Sequence, residues 1–155
     1  ERLRDYFNLP GMKILQFAFD GNVDNPYLPE NINTYNAIVY TGTHDNPTTE
    51  TWWNELNQDI KESINQRFSG DSIEPSWRLI EIGLSTKAVL FIAPAQDLLC
   101  LKDEARFNTP GTLGGNWLWM LNDFDDSFIK AIARYGEKSR SYGRFSENIE
   151  MLVGK

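Results

Sequence analysis

Three runs of apolar residues, each ending in polar or turn-forming residues, are the clearest pattern along the chain. They cover residues 12–19, 37–43 and 88–94. Each run is short and nearly continuous in its apolar character, which is typical of a strand buried within a parallel sheet. The pattern therefore predicts three buried strands.

Longer segments between and after these runs have the apolar spacing of helices, with an apolar residue at roughly every third or fourth position. In residues 48–68 this spacing is carried by Trp52, Trp53, Leu56, Ile60, Ile64 and Phe68. Further helices are predicted over residues 76–85, 124–135 and 144–153. The alternation of strands and helices predicts an α/β protein with a parallel sheet that is covered by helices on both faces.

Composition and charge exclude several classes of function. The chain has 155 residues and a formal net charge of −7, which argues against binding DNA or RNA. Its single cysteine, Cys100, cannot form an internal disulfide, and no apolar run reaches the ~20 residues needed to span a bilayer. One histidine and one cysteine make a transition-metal site implausible. We therefore expect a cytoplasmic protein that contacts neither nucleic acid nor membrane.

A long loop rich in glycine follows the third predicted strand, at residues 108–116. Loops of this length at the end of a strand usually line a site. The loop is not a phosphate loop, because no Gly-Lys-Ser/Thr follows it, and the chain has no Gly-x-Ser-x-Gly elbow for a catalytic serine. We expect one of Trp117 and Trp119 to reach a cleft and the other to pack, whereas Trp52 and Trp53 are predicted in the core.

Polar residues with catalytic chemistry follow all three predicted strands. They are Asp20, then His44-Asp45-Asn46, then Gln96-Asp97. The carboxyl ends of parallel strands are where such folds build active sites, and a carboxylate beside a histidine suits carbohydrate chemistry. Turn formation and helix capping explain Asp20 and Asp97 equally well. Asp45 and Asn46 could likewise cap the helix predicted from residue 48, so both interpretations stay open.

Four ordered motifs resemble a known family. They are GMKILQFAF at residues 11–19, NPYLP at 25–29, YTGTHDN at 40–46, and EARFNTPGT at 104–112 with GNW at 115–117. Together they resemble the carboxy-terminal third of the amylomaltases, the 4-α-glucanotransferases also called disproportionating enzymes. The resemblance covers about residues 10–120 and is more specific than any single motif.

The resemblance implies a (β/α)8 barrel with a nucleophilic aspartate, an acid/base glutamate and a further aspartate after the seventh strand. Asp45 would be that third carboxylate, which stabilises the transition state. His44 would hydrogen-bond the sugar where cleavage occurs, and Asp20, Asn46 and Asn108 would bind the glucan in the cleft. The implied chemistry needs carboxylates and hydrogen bonds, so no metal or organic cofactor is expected.

The first seven residues lack an initiator Met and have the pattern of an amphipathic helix entered in mid-element. We therefore expect residues 1–155 to be the carboxy-terminal part of a catalytic barrel, about its last three strands, without a separate second domain. The nucleophile and the acid/base would precede Glu1, so this piece alone is predicted to be inactive. Its open strand edges and apolar faces predict self-association.

The function predicted from the resemblance is transfer of a segment of an α-1,4-glucan to another glucan or to glucose, with retention of configuration. The expected partner is maltodextrin or another α-glucan. An α-glucan hydrolase of the same barrel clan and a non-catalytic carbohydrate-binding module remain as alternatives.

Overall fold

A computed structural model describes residues 2–68 and 70–144. Its strands are β1 (Gly11–Ile14), β2 (Ala37–Tyr40) and β3 (Leu90–Ile92). Its α-helices are α1 (Arg2–Tyr6), α2 (Thr49–Glu55), α3 (Gln58–Arg67), α4 (Pro75–Ser85), α5 (Ala95–Leu98) and α6 (Asp126–Ser141). Short 3-10 turns occupy Leu15–Phe17, Pro29–Asn31 and Asp103–Ala105.

The three strands form one parallel sheet in the order β1-β2-β3. Met12 on β1 is paired with Ile38 on β2, and Ile38 is paired with Leu90 on β3. The prediction of an α/β fold with a parallel sheet is therefore confirmed. The strands are shorter than the apolar runs, because the first run continues into a buried 3-10 turn in which Leu15 is fully enclosed.

One face of the sheet carries the core. Val39 and Phe91 are neighbours in the register and are buried, because their side chains point toward the helices. The largest enclosed side chain, Trp77, lies on α4 and belongs to the same cluster. Trp52 and Trp53 on α2 pack against this cluster, as predicted. The core therefore holds α2 and α4 against β2 and β3.

Within residues 2–68 and 70–144, the opposite face of the sheet, the bare face, keeps three exposed apolar side chains, so the prediction of helices on both faces is wrong for this part of the chain. Met12, Leu90 and Ile92 share this face and remain 57%, 46% and 38% exposed. Strand side chains alternate between the two faces, and the described helices pack on only one of them. A strand with apolar residues on both faces therefore does not indicate which face of the sheet the helices of the same chain cover.

The helix predicted over residues 48–68 is two helices, because the chain breaks between α2 and α3. Leu56 is extended, and the side chain of Asn57 accepts a hydrogen bond from the Ile60 N–H at 2.9 Å, which caps α3. The helix predicted over 76–85 is confirmed as α4. The helix predicted over 124–135 is α6, which begins later and runs further.

The helix predicted over residues 144–153 falls, apart from Arg144, outside the described residues. In the described ranges, no helix combines the length and the apolar character that crossing a membrane requires.

Candidate active site

A cavity of about 850 Å³ opens at the carboxyl ends of the three strands, on the side of the bare face. Ile14, Tyr40 and Ile92, the last residues of the three strands, form its floor. Its rim comes from two loops, one after β2 and one after the 3-10 turn Asp103–Ala105. Parallel strands bring these loops to the same edge of the sheet, which is the usual place of an active site in such folds.

The loop after β2 is a tight turn closed by Asn46. Its side-chain Oδ1 accepts hydrogen bonds from the Thr43 N–H at 2.8 Å and from the Thr43 hydroxyl at 2.7 Å. The Asn46 N–H also donates to the Thr43 carbonyl at 3.1 Å. Asn46 therefore fixes the turn from which His44 and Asp45 project.

The carboxylate of Asp45 is half exposed and is held by one of its two oxygens. Its Oδ1 accepts a hydrogen bond from Asn108 Nδ2 at 2.5 Å and lies 3.3 Å from His44 Nε2. Within residues 2–68 and 70–144, no group donates to the other oxygen, Oδ2. One oxygen is thus fixed by the protein, and the other remains available for a ligand.

Aromatic rings continue the rim of the cavity beyond His44. The Trp117 ring lies 5.0 Å from the His44 ring and 5.9 Å from the Phe107 ring. Trp117 has a positive φ of 61°, a strained conformation that its N–H stabilises by donating to the Phe107 carbonyl at 2.6 Å. Trp119 packs edge-on against Phe107. Trp117 therefore reaches the cavity while Trp119 packs, as the sequence predicts.

Asp97 is a buried carboxylate beneath the cavity that binds residues on both sides of the loop after β2. It is 1% exposed, and it accepts hydrogen bonds from the hydroxyls of Thr41 at 2.5 Å and Thr49 at 2.8 Å, and from the Thr49 N–H at 3.1 Å. Burial raises the pKa of this carboxyl above its ordinary value. Asp97 therefore joins the end of β2 to the start of α2 through these hydrogen bonds.

The interpretation of Asp45 and Asn46 as helix caps is wrong. Helix α2 is capped by Thr48, whose side chain accepts a hydrogen bond from the Thr51 N–H. Both residues instead line the cavity together with His44.

The other predicted site residues lie outside the cavity lining. Asn108 donates a hydrogen bond to the Asp45 carboxylate. Asp20 is exposed and accepts a hydrogen bond from the Asn22 N–H at 2.9 Å. This backbone hydrogen bond is the main reason that the pKa of Asp20 lies below its ordinary value. The contacts of Asp20 are those of a turn residue, and its role in binding a glucan stays a prediction.

Arg106 lines the cavity and was not singled out by the sequence. Its Nη2 donates to the Asp45 carbonyl at 2.9 Å, and its Nε donates to the Asn108 carbonyl at 2.9 Å. The only signal in the sequence is that Arg106 belongs to the same motif as Asn108.

The described residues also include no group of three or more His, Cys, Asp or Glu side chains arranged to hold a metal ion.

Comparison with known proteins identifies the family. The family model for 4-alpha-glucanotransferase, glycoside hydrolase family 77, matches residues 1–125. The chain is 43% identical over 145 residues to the 4-alpha-glucanotransferase of Synechocystis, and 44% identical over 128 residues to that of Thermus thermophilus. These matches cover 89% and 78% of this chain but 29% and 26% of the two relatives.

A solved structure gives the same result. The amylomaltase from Streptococcus agalactiae in complex with acarbose superposes with a TM-score of 0.84 at 30% sequence identity. The superposition covers 94% of this chain and 29% of the amylomaltase. The chain thus spans less than a third of the length of these relatives, and it belongs to the 4-alpha-glucanotransferase family, glycoside hydrolase family 77.

Proposed function

We propose that this chain forms one wall of the active site of a 4-α-glucanotransferase, which moves a segment of an α-1,4-glucan to another glucan or to glucose with retention. The observation that carries the proposal is the Asp45 carboxylate, half exposed in the cavity and held through Oδ1 by Asn108. Family membership supports the assignment of the reaction.

Asp45 is the group that stabilises the transition state. Cleavage of a glycosidic bond passes through an oxocarbenium-like state in which positive charge develops on the sugar ring. A carboxylate whose orientation is already fixed stabilises such charge without reorganising during the reaction. The hydrogen bond from Asn108 fixes Oδ1, and Oδ2 of Asp45 is then free to meet the sugar.

The rings of His44 and Trp117 supply the binding surface for the glucan. Flat rings suit the apolar faces of pyranoses, and the two rings lie 5.0 Å apart along the rim. Trp117 is 60% exposed, so its face is accessible to a ligand. The Streptococcus agalactiae amylomaltase is in complex with acarbose, which supports an α-glucan as the partner of this cavity.

Residues 1–155 contribute about three consecutive strands to a (β/α)8 barrel and form no second domain. The parallel order β1-β2-β3, the cavity at the carboxyl ends and the bare apolar face support this architecture. Retention needs a nucleophile and an acid/base carboxyl about 5 Å apart. Of the described residues that line the cavity, the carboxylates are Asp45 and the enclosed Asp97, which supports the expectation that residues 1–155 alone are inactive.

The bare face also gives this chain a second type of partner, which is another copy of itself. Met12, Leu90 and Ile92 leave apolar side chains exposed to water on this face, which is unfavourable. Two such faces remove this surface from water when they pack together. A cytoplasmic location, suggested by the single free cysteine Cys100, stays a prediction.

The test uses maltotriose and a family-length polypeptide that contains residues 1–155. The unsubstituted polypeptide should form glucose together with longer dextrins, whereas release of reducing ends alone would indicate hydrolysis. Asp45→Asn should lower turnover by about 10³-fold, or about 4 kcal/mol at the transition state, while the protein stays folded. Asp24→Asn, at an exposed position outside the cavity, is the matched control. Near-normal turnover by a folded Asp45→Asn protein would refute the proposal.

A further inference from the structure

We infer that Arg106 is a positioning residue for Asp45, which it orients through the protein main chain rather than by touching the carboxylate. The inference rests on the proposed function, because it assigns a role within that same site.

Three hydrogen bonds join the two loops at the position of Asp45. Arg106 Nη2 donates to the Asp45 carbonyl at 2.9 Å, and the Asn108 N–H donates to the His44 carbonyl at 3.1 Å. The third bond runs from Asn108 Nδ2 to Asp45 Oδ1 at 2.5 Å. Arg106 Nε also donates to the Asn108 carbonyl at 2.9 Å, so one guanidinium holds the main chain on both sides of the Asn108–Asp45 contact.

Arg106 is itself anchored to a rigid base. The preceding residue, Ala105, is fully buried, and its carbonyl accepts a hydrogen bond from Gln96 Nε2 at 3.2 Å. The Arg106 N–H donates to the Asp103 carbonyl at 3.0 Å, and its Nη1 lies 3.9 Å from Asp103 Oδ1. The side chain is only 21% exposed. The position of the Arg106 guanidinium is therefore fixed by its own loop, and its hydrogen bond to the Asp45 carbonyl fixes the neighbouring loop.

The chemistry of the guanidinium explains why an arginine stands here. Its donors are planar and point in several fixed directions, so one group can serve two carbonyls at once. A lysine ammonium has the same charge but lacks this fixed planar geometry. Removing the bridge lets the Asp45 main chain shift, and a misplacement of about 1 Å at a reacting centre costs on the order of 10²-fold in rate.

The consequence is a selective loss of turnover. Substrate binding depends mainly on the ring surface of His44 and Trp117, whereas stabilisation of the transition state depends on the exact placement of Asp45. Loss of Arg106 should therefore lower kcat more than it raises KM.

The experiment uses the family-length polypeptide with maltotriose and the substitutions Arg106→Met and Arg106→Lys. Arg106→Met should lower kcat by about 10- to 100-fold with KM changed by less than about 3-fold, and Arg106→Lys should recover only part of this loss. Arg67→Met is the matched control. Arg67 also makes side-chain hydrogen bonds, to Glu30 and Ser63, but it lies outside the active-site cavity, so kcat should not change.

A double substitution separates positioning from simple stabilisation of the fold. If Arg106 acts through Asp45, then adding Arg106→Met to Asp45→Asn should lower kcat by less than a further ~3-fold. Full additivity of the two losses would overturn the inference, as would an Arg106→Met protein with unchanged kcat.

The remaining outcomes are also decisive. If Arg106→Met does not fold, Arg106→Lys decides, and if neither folds, Arg106 only stabilises the protein and the inference is wrong. An unsubstituted polypeptide without transfer activity would instead refute the proposed function, and the inference would fall with it.

Discussion

The α-carbon of Gly83 on α4 faces the ring of Phe91 on β3 so closely that an added Cβ would lie 2.6 Å from the Phe91 Cζ atom. Real Cβ atoms do not approach a ring carbon to this distance, so the helix and the sheet can meet here only because residue 83 has no side chain. Phe91 fills the space that a larger residue on α4 would need, and this contact sets the spacing between α4 and the sheet.

Gly83→Ala should therefore destabilise the chain by about 1–3 kcal/mol, because overpacking forces Phe91 out of its rotamer or moves the helix. Urea denaturation measures this change. Gly136→Ala is the control, since Gly136 lies within α6 with no atom within 4 Å of the added Cβ. It should stabilise by about 0.5–1 kcal/mol through the lower entropy of the unfolded chain. Equal effects of the two substitutions would contradict this account of the α4–β3 contact.

The buried carboxylate of Asp97 predicts a difference between two substitutions. Asp97→Ala should destabilise by about 3 kcal/mol, because the Thr49 N–H loses its acceptor in a dry site. Asp97→Asn should cost less, since its amide oxygen can accept from this N–H while its NH2 donates to the hydroxyls of Thr41 and Thr49. Urea denaturation at neutral pH measures both values, and similar losses for the two variants would contradict this prediction.

The same carboxylate predicts how stability depends on pH. Burial raises the pKa of Asp97 above its ordinary value of 3.8, so the folded state holds the proton more tightly than the unfolded state. The contribution of Asp97 is therefore fully present below pH 3.8 and is lost as pH rises through the folded-state pKa. Relative to Asp97→Asn, the unsubstituted chain should lose stability from pH 3.8 upward. Urea denaturation of both chains over a pH series tests this, and parallel curves would contradict it.

A second buried carboxylate, Glu81 on α4, predicts the effect of removing a hydroxyl after α6. Tyr142 donates to Glu81 Oε2 at 3.0 Å, and Glu81 is 2% exposed. Tyr142→Phe should destabilise by about 1.5 kcal/mol, because the buried carboxyl group of Glu81 loses a hydrogen-bond donor. Tyr6→Phe, at a position that is 82% exposed, should change the free energy of unfolding by less than about 0.5 kcal/mol. Thermal denaturation compares the two, and a smaller effect at Tyr142 would show that Lys138 and the Ser72 hydroxyl satisfy Glu81 without it.

Alkaline titration offers an independent test of the same contact. Burial, followed by the hydrogen bond to Glu81, raises the pKa of Tyr142 from 10.0 to about 12. Its contribution to stability is present below pH 10 and is lost as pH rises toward about 12. Burial also raises the pKa of Tyr135, so ultraviolet absorbance of tyrosinate should show a late step with contributions from both tyrosines. Tyr142→Phe should remove the part of this step that lies near pH 12.

Self-association should depend on the bare face of the sheet. Sedimentation velocity of residues 1–155 should show larger species at higher concentration, and Leu90→Glu should keep the chain monomeric because a charge cannot be buried unpaired between two sheets. Val23→Glu is the control, since Val23 is 71% exposed but lies outside the sheet. A chain that is strictly monomeric at all concentrations would refute the proposed self-association.

The sequence predicted the strands well because a buried strand leaves a compact apolar run, but it overestimated their lengths. Leu15 and Ala18 are as apolar and as buried as strand residues, yet they lie at a 3-10 turn and not in β1. The break between α2 and α3 was missed for a similar reason. The apolar spacing continues across Leu56, and only the capping residue Asn57 marks the new helix.

The candidate site was predictable where it depends on the ends of strands. His44 and Asp45 lie in the loop that follows β2, so the sequence alone places them at the edge of the sheet where active sites form. Asn108 lies 63 residues from Asp45 in the chain, and only the resemblance singled it out. The role of Arg106 was not predictable, because it binds main-chain carbonyls, which every residue possesses.

The bare face of the sheet also determines what a systematic substitution survey would detect. Polar replacements at Met12, Leu90 and Ile92 remove little packing from residues 1–155, so a survey scored by resistance to proteolysis would rate these positions as tolerant. In the proposed barrel, a survey scored by glucan transfer in the family-length polypeptide would rate the same positions as intolerant. Positions where the two surveys disagree would therefore identify the surface of residues 1–155 that is covered by other segments of the family-length polypeptide. No further structure determination would be needed.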